Sequence, residues 1–330
     1  MQSMTTAFCL LLATAAAGQT VGVHGFIDVD YAWNRNHPRP QLNFFSGAGT
    51  TAHRADELAL NVAALEIVHD PKPVGFHLIL GAGDSLDVVH AAEPHPHRHP
   101  LRNLYQASVS YNAKVGRGLL LEAGVYPSHI GFEGFFTKDN WNYTRGWLAE
   151  FSPYYQAGIK ASYAWSDRWS GQVHVLRGWQ NIGAHVPAAI GTQIAYTATR
   201  FSTSLNTYGD PHRKFGDFIA TYKVTPRVNA GISIDRGHDH PANWLGVGTW
   251  ARYAFNDKHA IAVRAERFRD PDAGISGFAQ IVSEATLTYE HRPTAHLILK
   301  FEGRRDHSTA SVFNGSRNQT LAIASAVEVF

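Results

Sequence analysis

The chain has 330 residues, and its 29 basic and 27 acidic side chains give a formal net charge of +2 with His neutral. That length fits two soluble domains or one large β-barrel, and balanced charge without basic runs excludes a protein built to coat nucleic acid. Charged residues are only 17% and aromatics 12%, and mean hydropathy is -0.22, which together exclude a helical membrane bundle and a disordered chain.

The first element is an apolar run, residues 7–17 (AFCLLLATAAA). It is too short to span a bilayer as a helix and has the length of an export-signal core, with Ala15, Ala16 and Ala17 offering a small-residue cleavage site. Residues 1–17 are therefore expected to be a cleaved signal and 18–330 one domain. The only cysteine, Cys9, falls inside the signal, so the mature chain is expected to hold no disulfide and no thiolate chemistry.

Beyond residue 21 the chain breaks into short alternating segments separated by turn residues, the pattern of β-strands. Taken in order they are 22–33, 56–68, 74–83, 102–113, 118–126, 147–164, 169–179, 191–198, 201–208, 214–224, 228–236, 245–255, 259–268, 279–290, 295–304 and 318–330. Val228, Ala230, Ile232 and Ile234 alternate with Asn229, Gly231, Ser233 and Asp235, giving one apolar and one wet face. The connections alternate in length. Short ones (70–73, 114–117, 166–168, 199–200, 225–227, 256–258, 291–294) alternate with longer ones (34–55, 84–101, 127–146, 180–190, 209–213, 237–244, 269–278, 305–317). Short turns at one end and long loops at the other belong to an outer-membrane barrel; a soluble sandwich, wet at both ends, has no reason to segregate them. The fold expected is all-β: a closed antiparallel transmembrane β-barrel of about 16 strands.

Tyrosines recur at one level. Tyr111, Tyr163, Tyr196, Tyr222 and Tyr253 sit three residues before a short turn, and Tyr289 two before. A ring of such amphipathic side chains fits a periplasmic aromatic girdle. The chain ends on Phe330, the terminal aromatic expected of an assembly signal read by the barrel-assembly machinery.

The segments GFIDVDYAWN, RNLYQASVSYN, DNWNYTRG and SPYYQAGIKASYAWSDRWSGQVHVLRGWQN resemble the putative β-barrel porin-2 (OmpL-like) family, over about residues 22–330. The resemblance implies a porin-like barrel with a passive transport role, and it supplies no catalytic residues.

Residues 127–146 are too apolar for a loop in free water, so Phe132, Phe135, Phe136 and Trp141 are expected to pack on the inner wall. Glu133, Lys138, Asp139 and Arg145 would then form a pore constriction; an external loop at the outer girdle is the competing reading. Charges on the lipid face cost about 2–4 kcal/mol at the midplane. Arg177, Arg236, Arg252, Arg264, Glu266, Lys300, Glu302 and Arg304 are therefore expected to line the lumen, with a weak anion preference from the basic excess in the C-terminal half. His90, His95, His97 and His99 share a Pro-rich stretch and are weak metal candidates, held extended rather than convergent. GDSLD at 83–87 resembles the motif of GDSL-type hydrolases, with Ser85 as nucleophile, but no helical crossover surrounds it.

The function expected is an outer-membrane, porin-like channel for passive diffusion of small hydrophilic solutes or ions, in a Gram-negative-type bacterium. The alternatives are a substrate-specific uptake channel or a surface ligand- or metal-binding barrel, and third an outer-membrane hydrolase. No cofactor and no nucleic-acid partner is expected. The expected partners are membrane lipid, small solutes and the assembly machinery, with a homo-oligomer left open.

Overall fold

The computed structural model describes residues 21–94 and 100–330. Sixteen strands close into one barrel in which each strand pairs with its sequence neighbours and the last pairs with the first. They are β1 (Gly22–Asn34), β2 (Leu58–His69), β3 (Val74–Ala82), β4 (Leu104–Ala113), β5 (Leu119–Pro127), β6 (Tyr155–Ala164), β7 (Trp169–Leu176) and β8 (Ala189–Thr197). The second half comprises β9 (Phe201–Gly209), β10 (Arg213–Lys223), β11 (Val228–Asp239), β12 (Ala242–Asn256), β13 (His259–Asp270), β14 (Gln280–His291), β15 (Leu297–Ser308) and β16 (Asn318–Val329). Two short helices lie in long loops, α1 (Asp84–Val89) and α2 (Trp147–Glu150).

All pairs are antiparallel, and closure is made by Phe26 opposite Val329 through Asn34 opposite Leu321. A closed ladder leaves no strand edge unpaired, the condition for a sheet to cross a bilayer. The period of two sorts side chains to opposite sides of the wall. On β15, Lys300, Glu302, Arg304 and Asp306 are buried inside while Phe301, Gly303, Arg305 and His307 are exposed outside. Gly124 of β5 lies opposite Gly158 of β6, and the outer neighbours β4 and β7 leave neither room for a side chain. Both glycines have positive φ, and a Cβ would stand 2.2 Å from the Ala107 carbonyl oxygen at one and 2.1 Å from that of Val175 at the other.

Two expectations are corrected here. The strand expected from 147 begins at Tyr155, because Trp147–Glu150 is a helical turn packed inside the barrel. The connections expected at 209–213 and 237–244 shrink to 210–212 and 240–241, because β9 runs on to Gly209 and β10 starts at Arg213, while β11 and β12 extend to 12 and 15 residues. The expected signal, residues 1–17, lies outside the described residues.

The apolar core sits within the barrel, between loops and wall. Phe45 stacks on Trp147 at 5.2 Å, and Trp147, Phe151 and Phe268 continue the cluster. A second cluster joins Tyr105, Phe135, Tyr154 and Leu86 of α1.

Candidate functional site: a loop laid across the lumen

Residues 128–154, here L3, leave β5 and cross the lumen. Their polar atoms are met in turn by acids and hydroxyls of the opposite wall. Gly131 N donates to Asp217 of β10 at 2.9 Å. Tyr143 N and Thr144 N donate to Glu302 of β15 at 2.6 and 3.0 Å. Tyr143 OH reaches Asp28 and Asp30 of β1 at 3.1 and 3.0 Å. Trp147 Nε1 donates to Asp306 at 2.9 Å, and Leu148 N to Glu266 of β13 at 3.1 Å. A buried loop needs a partner for each backbone group, and here the lumen carboxylates provide many of them.

Arg264 is the hub. Its side chain is fully buried, with Nη1 2.7 Å from Glu133 of L3 and Nε 2.7 Å from Glu284 of β14. It also donates to the Thr144 carbonyl. Glu133 in turn accepts from Gly146 N at 2.7 Å and from Trp250 Nε1 at 3.3 Å. Phe132 stacks on Trp250 at 4.3 Å. Arg304 donates to the Arg145 carbonyl at 2.7 Å and pairs with Asp306 at 2.9 Å. Lys300 Nζ donates to the carbonyls of Thr137 and Asn140 at 2.8 and 2.6 Å.

A second loop, residues 35–57, folds in beside L3. Thr50 N and Oγ1 donate to Glu150 of α2, the hydroxyl at 2.7 Å, and Arg145 Nη1 reaches Thr50 Oγ1 at 2.5 Å. Burial raises the Glu150 carboxyl above its ordinary value, while Arg145 and these donors pull it back. Burial likewise lowers the imidazole of His129, which bonds Gln156 and the Thr207 carbonyl at the start of L3.

Of the residues expected at a constriction, Glu133 is buried between L3 and the wall and Arg145 between L3 and the 35–57 loop, and Lys138 and Asp139 pair with each other at 2.9 Å, Asp139 exposed. Of those expected in the lumen, Arg264, Glu266, Lys300, Glu302 and Arg304 are buried inside, and Arg252 pairs inside with Glu290 at 3.0 Å. Arg177 and Arg236 are corrected: both are exposed on the outer face, Arg177 beside Val175 and Arg236 in phase with Ile234. With them goes part of the basic excess behind the expected anion preference. Alternation placed Asp235 on the wet face, but other inside acids that carry the architecture were not singled out, among them Asp28, Asp30, Asp217 and Asp306, although GFIDVDYAW does place both β1 acids on one face.

Under L3 the lumen stays polar and partly open. Lys160 and Glu122 pair at 2.6 Å with side chains 16% and 12% exposed, and Arg252 is 24% exposed. The six tyrosines stand at the short-turn end: Tyr111 lies opposite Val74, Tyr163 opposite Leu119, Tyr196 opposite Trp169, Tyr222 opposite Phe201 and Tyr253 opposite Val228, each partner the first residue of its strand. Tyr289 lies opposite Phe301 and Ile261 at a similar height. Phe330 closes that end, exchanging two backbone hydrogen bonds with Gly25.

Ser85 is sealed in α1, its Oγ donating to the Thr50 carbonyl at 2.6 Å, an arrangement that leaves no room for substrate. His90 is buried against Tyr155 and the Leu104 carbonyl, while His95, His97 and His99 lie outside the described residues. Among the described residues no group of three metal-ligating side chains converges.

A sixteen-stranded closed barrel, apolar outside and charged inside, with one long loop tied across its lumen, defines the porin class of outer-membrane channel. The family comparison places it further: residues 20–330 match the model of the putative beta-barrel porin-2, OmpL-like family, and the chain belongs to that family. Solved structures share the fold at low identity. The outer membrane channel DcaP of Acinetobacter baumannii is 11% identical, with a TM-score of 0.63 over 96% of this chain and 99% of that one. An anion-selective porin from Comamonas acidovorans is 12% identical, with a TM-score of 0.61 over 95% and 100%. OmpT of Vibrio cholerae, in a trimer form, is 7% identical, with a TM-score of 0.61 over 94% and 99%. No curated protein matches the chain.

Proposed function

We propose that the protein is a weakly selective diffusion channel of a Gram-negative outer membrane, passing small hydrophilic solutes and ions through a pore whose width L3 sets. The carrying observation is L3 itself, held at mid-lumen by buried bonds to both sides of the wall through Arg264, Glu302 and Asp217. A loop held so firmly narrows a wide barrel to a fixed aperture instead of gating it. Weak selectivity follows from pairing: the open part of the lumen carries Lys160 with Glu122 and Arg252 with Glu290, so each cation there has an anion within 3.0 Å. Paired charges cancel the field that would favour one sign of ion. The tyrosine level near the short turns is read as the periplasmic girdle and Phe330 as the assembly signal. Export through residues 1–17 and non-enzymatic action complete this reading.

Liposome swelling tests it. Vesicles containing the purified barrel should swell in pentoses and hexoses, and more slowly in disaccharides. Swelling confined to one solute, with saturation, would favour a specific uptake channel; no swelling in any solute would end the diffusion reading.

A further inference from the structure

The outer wall carries a feature that conduction does not use. On the outward face of β11, β13 and β15, near the long-loop end, stand Arg236, Arg267, Arg269 and Arg305, all exposed. None of the four has a carboxylate partner among the described residues, whereas the arginines inside the barrel at 252, 264 and 304 all do. Register brings them together. Arg269 lies opposite Leu245, which lies opposite Arg236; Arg267 lies opposite Ser283, which lies opposite His307. Arg305 lies one outward row below, opposite Ala285. Strands about 4.8 Å apart put Arg267 and Arg305 roughly 10 Å apart laterally, within joint reach of one phosphate group.

Directly below this row the wall is hollowed. Thr249, Ala251, Ala265, Ala285 and Gly303 line a groove of about 600 Å³, with Arg305 at its upper edge. Below the groove the wall fills out again with Tyr253, Tyr289 and Phe301. The wall thus offers cations at headgroup height and an apolar trough running toward the membrane interior.

We infer that this face of β11–β15 binds a phosphorylated, multiply acylated lipid of the outer leaflet, its phosphates held by Arg267, Arg269 and Arg305 and one acyl chain lying in the groove beneath. Charge complementarity favours lipid over a second copy of the chain. Among the strand residues, the carboxylates point inward except Glu328, which lies on the outward face at the opposite, short-turn end. The outward strand face of a second barrel would bring no acid to this height, whereas phosphate offers bidentate acceptors to a guanidinium. The inference rests on the membrane placement of the wall and is independent of conduction.

The test uses the whole barrel in detergent, incubated with a bis-phosphorylated, hexa-acylated glucosamine disaccharide lipid or with the same lipid stripped of its phosphates, and read by native mass spectrometry. Wild type should retain the phosphorylated lipid, and Arg267→Gln/Arg269→Gln/Arg305→Gln should weaken retention by about tenfold or more, from the loss of three near-surface cations. Replacing the same three with Lys should keep most of it, and Ala285→Trp, which fills the groove, should weaken retention with the arginines intact. Slower migration when boiled checks that each variant is folded. Equal retention by wild type and the Gln variant, equal retention of both lipids, or lipid-free oligomers that dissociate in the Gln variant would overturn the inference. Single-channel steps of the Gln variant should match wild type, so a failed lipid site and a failed channel are distinct results.

Discussion

Removing the Arg264 guanidinium is the sharpest perturbation of the loop. In Arg264→Met the apolar stem is roughly kept while the charge is lost, leaving Glu133 and Glu284 buried without their 2.7 Å partner and Glu266 close by. Deleting one member of a buried ion pair costs about 3–5 kcal/mol, mainly because the other charge stays desolvated. At 1.4 kcal/mol per decade, docking of L3 weakens by roughly a hundredfold to a few thousandfold. Glu133→Gln is milder: Arg264 keeps Glu284, and the amide can still accept from Gly146 N, so about 1–3 kcal/mol is expected. Combining the two should cost less than their sum, since the carboxylate stranded by the first change is neutralised by the second. The assay is single-channel recording together with the temperature at which the unheated gel form disappears. Arg264→Met should give larger, noisier steps and an earlier transition, with Glu133→Gln between it and wild type. If Arg264→Met conducts and unfolds like wild type, L3 is not held by this network and the reasoning fails.

Two further outcomes follow from single positions. A Cβ at Gly146 would stand 2.1 Å from Glu266 Oε1, so Gly146→Ala should push that carboxylate off Leu148 N and lower the gel transition temperature, whereas Gly216→Ala on β10, with nothing within 4 Å and no left-handed φ, should change it much less. His129 is buried with its imidazole lowered, so the folded barrel binds fewer protons there than the unfolded chain; its contribution should be full above about pH 6.5 and lost as pH falls below that. The gel transition of wild type should therefore drop more between pH 7.5 and 5 than that of His129→Gln, and equal drops would refute it.

Alternation exposed most of this architecture, and its limits are physical. β13 and β15 read correctly because each inside charge is flanked by outside residues, as with Arg264 between Val263 and Ala265. Arg236 was misplaced because the cost of charge in lipid was weighed above parity; its parity with Ile232 and Ile234 already put it outside, at a height where that cost is small. The stretch from Trp147 to Tyr154 looked like strand because it is apolar, yet its apolarity serves the barrel interior, which no strand period can distinguish. L3 was legible as amphipathic, but its wall partners were not. Thr50 meets Glu150 across 100 positions and Glu302 meets Tyr143 across 159, pairings that only the closed ladder brings together. The inward fold of residues 35–57 had no signal beyond Phe44, Phe45 and scattered alanines.

Single-channel conductance of the purified protein in a planar bilayer tests the channel most directly. Reproducible, ohmic steps are predicted, with a reversal potential close to zero in a tenfold salt gradient because the exposed lumen charges are paired. Silence in bilayers from protein that still shows the barrel's heat-modifiable mobility would contradict it.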